Sequence, residues 1–164
     1  MRTSDEELFQ LSEQLGQLLK HKGWMLASAE SCTGGWLGEA VTAVAGSSQW
    51  YERGFITYTN AAKQEMLGVA AATLVAHGAV SEETVREMAA GALKNSRAQI
   101  SVSISGVAGP GGGTPKKPVG TVCIGWATTT GNLLSTTCRL GGDRQEVRSR
   151  AVAAALRGLI ELLA

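Results

Sequence analysis

Leu8, Leu11, Leu15, Leu18 and Leu19 follow Ser4 and Glu7 at three- and four-residue spacing, so the chain opens as a capped amphipathic helix ending near Gly23. The apolar run Trp24 to Ala29 reads as a strand, and Trp36, Leu37, Ala40, Val41 and Val44 return to helical spacing in a helix beginning near Thr33. After Gly46-Ser47-Ser48, Phe55 to Thr59 predicts a second strand, and Asn60 caps a short helix through Leu67. Ala70 to Ala76 is a further helical turn or two, stopped by His77-Gly78. Ser81 caps a helix whose inner face is Val85, Met88, Ala89, Ala92 and Leu93, with Glu82 and Glu83 suiting the dipole of its first turn. Ile100 to Ile104 alternates as a strand and enters the glycine-rich loop Ser105 to Gly113. Val119 to Thr128 and Leu133 to Leu140 form a hairpin across Thr129-Thr130-Gly131-Asn132. Asp143 and Glu146 then open a last helix with Val147, Ala151, Ala155, Leu159 and Leu162 inward. Helices and strands mostly alternate, which predicts an α/β fold: a three-layer α/β/α sandwich around a mixed, mostly parallel sheet.

At 164 residues the chain fits one domain, taken as 1–164, with room for a substantial core. A net charge of +1 supplies no global field for nucleic acid or an anionic membrane, so neither partner is expected. The three cysteines, Cys32, Cys123 and Cys138, lack CxxC spacing, which opposes a disulfide framework and a zinc site; no metal is expected. The acidic, amphipathic start is unlike a signal peptide and no apolar run is long enough to span a bilayer, so the expected compartment is the cytoplasm.

Chemistry concentrates in Ala29-Glu30-Ser31-Cys32-Thr33-Gly34-Gly35, where an acid, two hydroxyls and a thiol lie on a strand-to-helix turn. Backbone N–H groups at such a turn suit a phosphate or an oxyanion, and the glycines admit close approach. Serine and threonine before a helix are also ordinary caps. As a nucleophile Ser31 needs a base. His21 and His77 both fit ordinary histidines at helix C-termini. Lys63, at the third position of a helix capped by Asn60, faces a dipole end that disfavours an ammonium, and burial would lower its pKa further toward a free amine. Tyr58, on the adjoining strand end, would relay a proton or fix the lysine; a solvated lysine and a half-buried strand tyrosine fit the same pattern. Cys32 is a rival nucleophile at a helix start. Glu30 is an acid, a base or a brace for the turn. The Ser105 loop matches neither the Walker nor the GxGxxG spacing, but its place at a strand end favours a ligand-facing role. Lys116-Lys117 reads as solvated charge, and Arg144, directly after its cap, suits either an anionic ligand or a surface ion pair.

Four segments together resemble one family: Ala29 to Gly35, Gly54 to Lys63, Ser105-Gly106-Val107-Ala108-Gly109-Pro110, and Gly142-Asp143-Arg144. They are similar to the bacterial nicotinamide-nucleotide amidohydrolases, the family of the C-terminal domain of the competence-damage-inducible protein CinA. The resemblance implies hydrolysis of the carboxamide of nicotinamide mononucleotide to nicotinate mononucleotide and ammonia, in pyridine-nucleotide recycling, without metal or cofactor. It implies Ser31 as nucleophile, Lys63 as general base, and Tyr58 and Ser105 as supporting hydroxyls. Glu30, Thr33, Gly34, Gly35, Gly106, Gly109 and Arg144 become the candidate substrate contacts, with Arg144 or the Thr33-Gly34 amides nearest the phosphate. Gly111-Gly112-Gly113 departs from the more polar residues of other members. A homodimer or larger assembly is expected, as is the absence of the extra N-terminal domain of longer members.

Overall fold

The computed structural model describes residues 4–164. In chain order its elements are α1 (Asp5–Lys22), β1 (Leu26–Glu30), α2 (Trp36–Thr42), a 3-10 turn (Ser47–Gln49), β2 (Tyr51–Ile56), α3 (Asn60–Leu67), α4 (Ala71–His77), α5 (Glu82–Lys94), β3 (Ile100–Gly106), β4 (Thr121–Thr128), β5 (Leu133–Arg139) and α6 (Arg144–Leu163). One five-stranded sheet runs β2-β1-β3-β4-β5. β1 is parallel to both neighbours, whereas β4 is antiparallel to β3 and β5, so β4 alone runs against the other strands.

Strand periodicity sorts the core into two layers. Leu26, Ile100, Val102, Ile104, Val122, Ile124 and Trp126 share one cluster with the inward faces of α1, α2 and α6. Ala27, Ala29 and Cys123 face the opposite way, against Leu67, Leu74, Val85, Met88 and Ala92 from α3, α4 and α5. The expected three-layer α/β/α sandwich is therefore what the chain forms. Small residues let α5 sit close to the sheet: a Cβ on Gly125 would lie 2.5 Å from the Val85 carbonyl oxygen. The alternation in Ile100 to Ile104 does not mark a solvated face. Ser101 Oγ donates to the Ala89 carbonyl at 2.7 Å and Ser103 Oγ to that of Val85 at 2.6 Å, so both faces of β3 are buried.

Differences from the sequence reading lie mainly at strand ends. β2 covers Tyr51–Ile56, not Phe55 to Thr59, because Thr57 to Thr59 turn away from the sheet after Thr57 N–H donates to the Glu30 carbonyl at 2.8 Å. Tyr58 consequently stands on a loop. Thr59, not Asn60, caps α3, its Oγ1 accepting from Ala62 N–H at 3.0 Å, and Lys63 moves to the fourth helical position. α2 begins at Trp36, since Gly34 and Gly35 have φ of 60° and 108°, outside the helical region. β3 continues through Ser105 and Gly106 by pairing with Cys123 and Val122.

Candidate functional site

β1, β2 and β3 run in one direction, so their C-terminal ends share an edge of the sheet. From β1 the chain crosses to β2 by α2 on one face, then returns to β3 by α3, α4 and α5 on the other. A crevice opens where such connections part, outside the carboxyl ends of the strands. Ser31 stands there, its N–H held by the Ile104 carbonyl at 3.0 Å. Lys63 reaches the same point from the first turn of α3.

Lys63 Nζ lies 3.0 Å from Ser31 Oγ, 3.0 Å from the Thr57 carbonyl oxygen and 3.4 Å from that of Tyr58. Lys63 is 1 % exposed and Ser31 7 %. None of the ion pairs among the described residues involves Lys63, and burial lowers its pKa from the ordinary lysine value. A neutral amine has two N–H bonds and one lone pair. Both carbonyls can only accept, so they take the two N–H bonds, and the lone pair is left for the Ser31 hydroxyl. An amine so placed has the chemistry of a proton acceptor for the serine.

The turn itself is braced from within. Glu30, almost fully buried, accepts at Oε1 from Thr33 Oγ1 (2.6 Å) and Leu37 N–H (2.9 Å), and at Oε2 from Gly38 N–H (3.1 Å). The carboxylate thus serves the free amides at the start of α2. Glu30 and Thr33, expected as substrate contacts, have their side chains buried and hydrogen-bonded within the turn. Neither Gly34 nor Gly35 lines the cleft; Gly34 N–H closes the turn on the Ser31 carbonyl at 3.0 Å.

Beside Ser31 a cleft of about 230 Å³ is walled by Cys32, Tyr58, Gly106, Gly109 and Arg144 among others. Arg144 donates to the Gly109 carbonyl at 2.8 Å and to the Tyr58 hydroxyl at 3.2 Å. The exposed Tyr58 ring therefore meets Arg144, and only its backbone carbonyl meets Lys63. Ser105 is buried within β3, next in register to the level of Ser31. Two participants escaped the sequence reading. Thr57 supplies a carbonyl to Lys63, a main-chain role that no side-chain motif announces. Arg148 donates from Nε to the Cys32 carbonyl (3.0 Å) and from Nη2 to that of Thr33 (3.1 Å), with its guanidinium 5.3 Å from the Trp36 ring centre. Its one available signal was its place four residues after Arg144, on the same helical face.

The rival groups are less suited. Cys32 is buried, and that burial pushes its thiol up to about 11. His77 lies on the other side of the molecule's chemistry, 3.2 Å from Glu83. It lines a wider groove of about 700 Å³ in which charged side chains are held by neutral partners, Glu82 accepting from the Ser135 and Thr137 hydroxyls and Lys117 donating to the His77 carbonyl. No three His, Cys, Asp or Glu side chains gather as metal ligands among the described residues. Nor is any described helix long and apolar enough to cross a membrane.

Comparison with known proteins places the chain in a family. The chain is 55 % identical over 156 residues to nicotinamide-nucleotide amidohydrolase PncC of Escherichia coli (strain K12), covering 95 % of this chain and 94 % of that protein. It is 50 % identical over 154 residues to the PncC of Enterobacter agglomerans, covering 94 % of each. The crystal structure of competence/damage inducible protein CihA from Agrobacterium tumefaciens superposes with a TM-score of 0.94 at 44 % identity, covering 99 % of this chain and 98 % of that one. Residues 8–163 match the model of the CinA C-terminal domain, and the chain belongs to that family.

Proposed function

We propose that this protein is a nicotinamide-nucleotide amidohydrolase that converts nicotinamide mononucleotide to nicotinate mononucleotide and ammonia in pyridine-nucleotide recycling, by a Ser31/Lys63 acyl-enzyme mechanism. The substrate rests on the PncC relatives, at 55 % and 50 % identity over nearly the full chain. The mechanism rests on one observation: a buried lysine amine 3.0 Å from a serine hydroxyl, its other contacts being carbonyls.

Ser31 Oγ attacks the carboxamide carbon as its proton passes to Lys63 Nζ. The carbonyl oxygen becomes an oxyanion; the Ser31 N–H is taken by the Ile104 carbonyl, and the amide of Cys32, a residue of the cleft wall directly after the nucleophile, is the donor assigned to it. Collapse of the adduct breaks the C–N bond, and the Lys63 ammonium returns its proton to the leaving nitrogen, releasing ammonia. Water then adds to the Ser31 ester, giving a proton to Lys63 that passes back to Ser31 Oγ as the acid departs. Arg144, in the cleft wall with its guanidinium 2.8 Å from the Gly109 carbonyl oxygen, is the cation offered to the substrate phosphate. Gly106 and Gly109 give that wall its main-chain surface.

Ammonia release from nicotinamide mononucleotide by the purified protein, set beside Ser31→Ala and Cys32→Ala, tests this reading. Turnover is expected from the parent and Cys32→Ala and not from Ser31→Ala. Near-normal turnover in Ser31→Ala would overturn the mechanism, and a parent with no turnover on this substrate would overturn the activity.

A further inference from the structure

We propose that Arg148 is a positioning residue for this reaction: it fixes the peptide planes after Ser31 and so holds the Cys32 N–H as an oxyanion donor. The inference rests on Ser31 being the attacking group. Three consecutive carbonyls follow the nucleophile, and each has a fixed donor. Ser31 O accepts from Gly34 N–H at 3.0 Å, and Thr33 O accepts from Trp36 N–H at 3.1 Å. The Cys32 and Thr33 carbonyls are spanned by one guanidinium, at 3.0 and 3.1 Å. In a planar trans peptide the N–H points opposite to the C=O, so a carbonyl that cannot turn is an amide that cannot turn. The Cys32 N–H is antiparallel to the Ser31 carbonyl, whose own donor, Gly34, hangs on the Thr33 carbonyl that Arg148 grips.

The guanidinium suits the task because it is itself held. It lies against Trp36, and Nη1 donates to Gln145 Oε1 at 2.8 Å. None of the ion pairs among the described residues involves it, and two of its nitrogens, Nε and Nη2, are given to the turn. Both anchors come from α6, one turn apart: Arg144 grips the glycine loop and Arg148 the Ser31 turn. A lysine would keep the charge but present a point donor, unable to span two carbonyls in fixed geometry.

An interaction that matters only once the oxyanion forms lowers kcat and leaves KM nearly unchanged. Arg148→Met, which keeps an apolar stem beside Trp36, is expected to lose about 10²-fold in kcat with KM within about threefold, the size of one oxyanion donor. Arg148→Lys should recover less than about tenfold of that loss, and the pH at half-maximal turnover, set by Lys63, should not move in either variant. A kcat within about threefold of the parent, a fully active Arg148→Lys, or a loss confined to KM would each overturn the proposal. Should Arg148→Met fail to fold, Arg148→Lys carries the test through a kcat loss of at least about tenfold. Ser31→Ala assayed alongside separates the two readings: its activity would sink the serine mechanism, whereas normal Arg148 variants beside an inactive Ser31→Ala would sink only the positioning.

Discussion

Two buried polar arrangements meet at the end of β1 and behave oppositely. Glu30 spreads three hydrogen bonds over both carboxylate oxygens, every one from a donor that needs an acceptor. Such a group is satisfied in its charged form and holds the backbone still. Lys63 is as buried, yet faces two carbonyls and a hydroxyl with no carboxylate. Its contacts are satisfied as well by the amine as by the ammonium, and burial favours the amine. The difference teaches that burial alone does not set the part a polar group plays: the hydrogen bonds of Glu30 hold the turn, whereas Lys63, reaching it from α3 without an anionic partner, is pushed toward the amine that the proposed base requires.

Replacing the base probes this contrast most sharply. Lys63→Met is expected to lower kcat for ammonia release on the order of 10⁴-fold while raising the thermal midpoint at neutral pH, because the buried amine is costly to the fold. A destabilised Lys63→Met would mean that Lys63, like Glu30, is a brace. Glu30→Ala should do the reverse in stability, losing about 2 to 4 kcal/mol by urea unfolding, since it strips acceptors from Thr33, Leu37 and Gly38. A loss below about 1 kcal/mol would remove it as the brace.

The pH dependence sharpens the same comparison at smaller cost. Below the lowered folded pKa of Lys63, native and unfolded chains both hold the proton and the burial penalty is complete. Between that value and about 10.4 the unfolded chain binds a proton the native amine has given up, so native stability rises with pH and the penalty fades. The stability advantage of Lys63→Met over the parent should therefore shrink from neutral pH toward pH 10, measured by urea unfolding; a constant difference would contradict a shifted lysine. The smallest effect is expected at the thiol. With its pKa pushed up to about 11 by burial, Cys32 holds little thiolate near pH 8, and iodoacetamide should label it far more slowly than a free cysteine.

The three layers were legible in the chain because period-2 and period-3.6 apolar patterns survive burial on one face, as in Leu8, Leu15 and Leu19 or Val85, Met88 and Ala92. Ser31 and Lys63 could be singled out from residue type and position on their turns. What misled was local: the polar start of β2, Tyr51-Glu52-Arg53, hid an edge strand that pairs on one side only, and it pushed Tyr58 into a strand it does not join. The alternation through Ser101 and Ser103 marked a strand without saying what its polar face meets, because alternation cannot distinguish water from the α5 carbonyls.

By itself, then, the sequence determined the layers, the hairpin and the capped last helix, and it marked the serine and lysine as candidates, since each follows from side-chain periodicity or chemistry within a few residues. Tertiary structure alone decided that Lys63 meets Ser31 across 32 positions of chain, that Glu30 turns inward to serve α2, and that Arg148 spans 116 positions to hold the turn. Those pairings depend on the order β2-β1-β3 bringing strand ends together and on the return of α6 to the same edge. Main-chain carbonyls and amides do much of that work, and they are the same at every residue, so no pattern of side chains could mark which ones would be used.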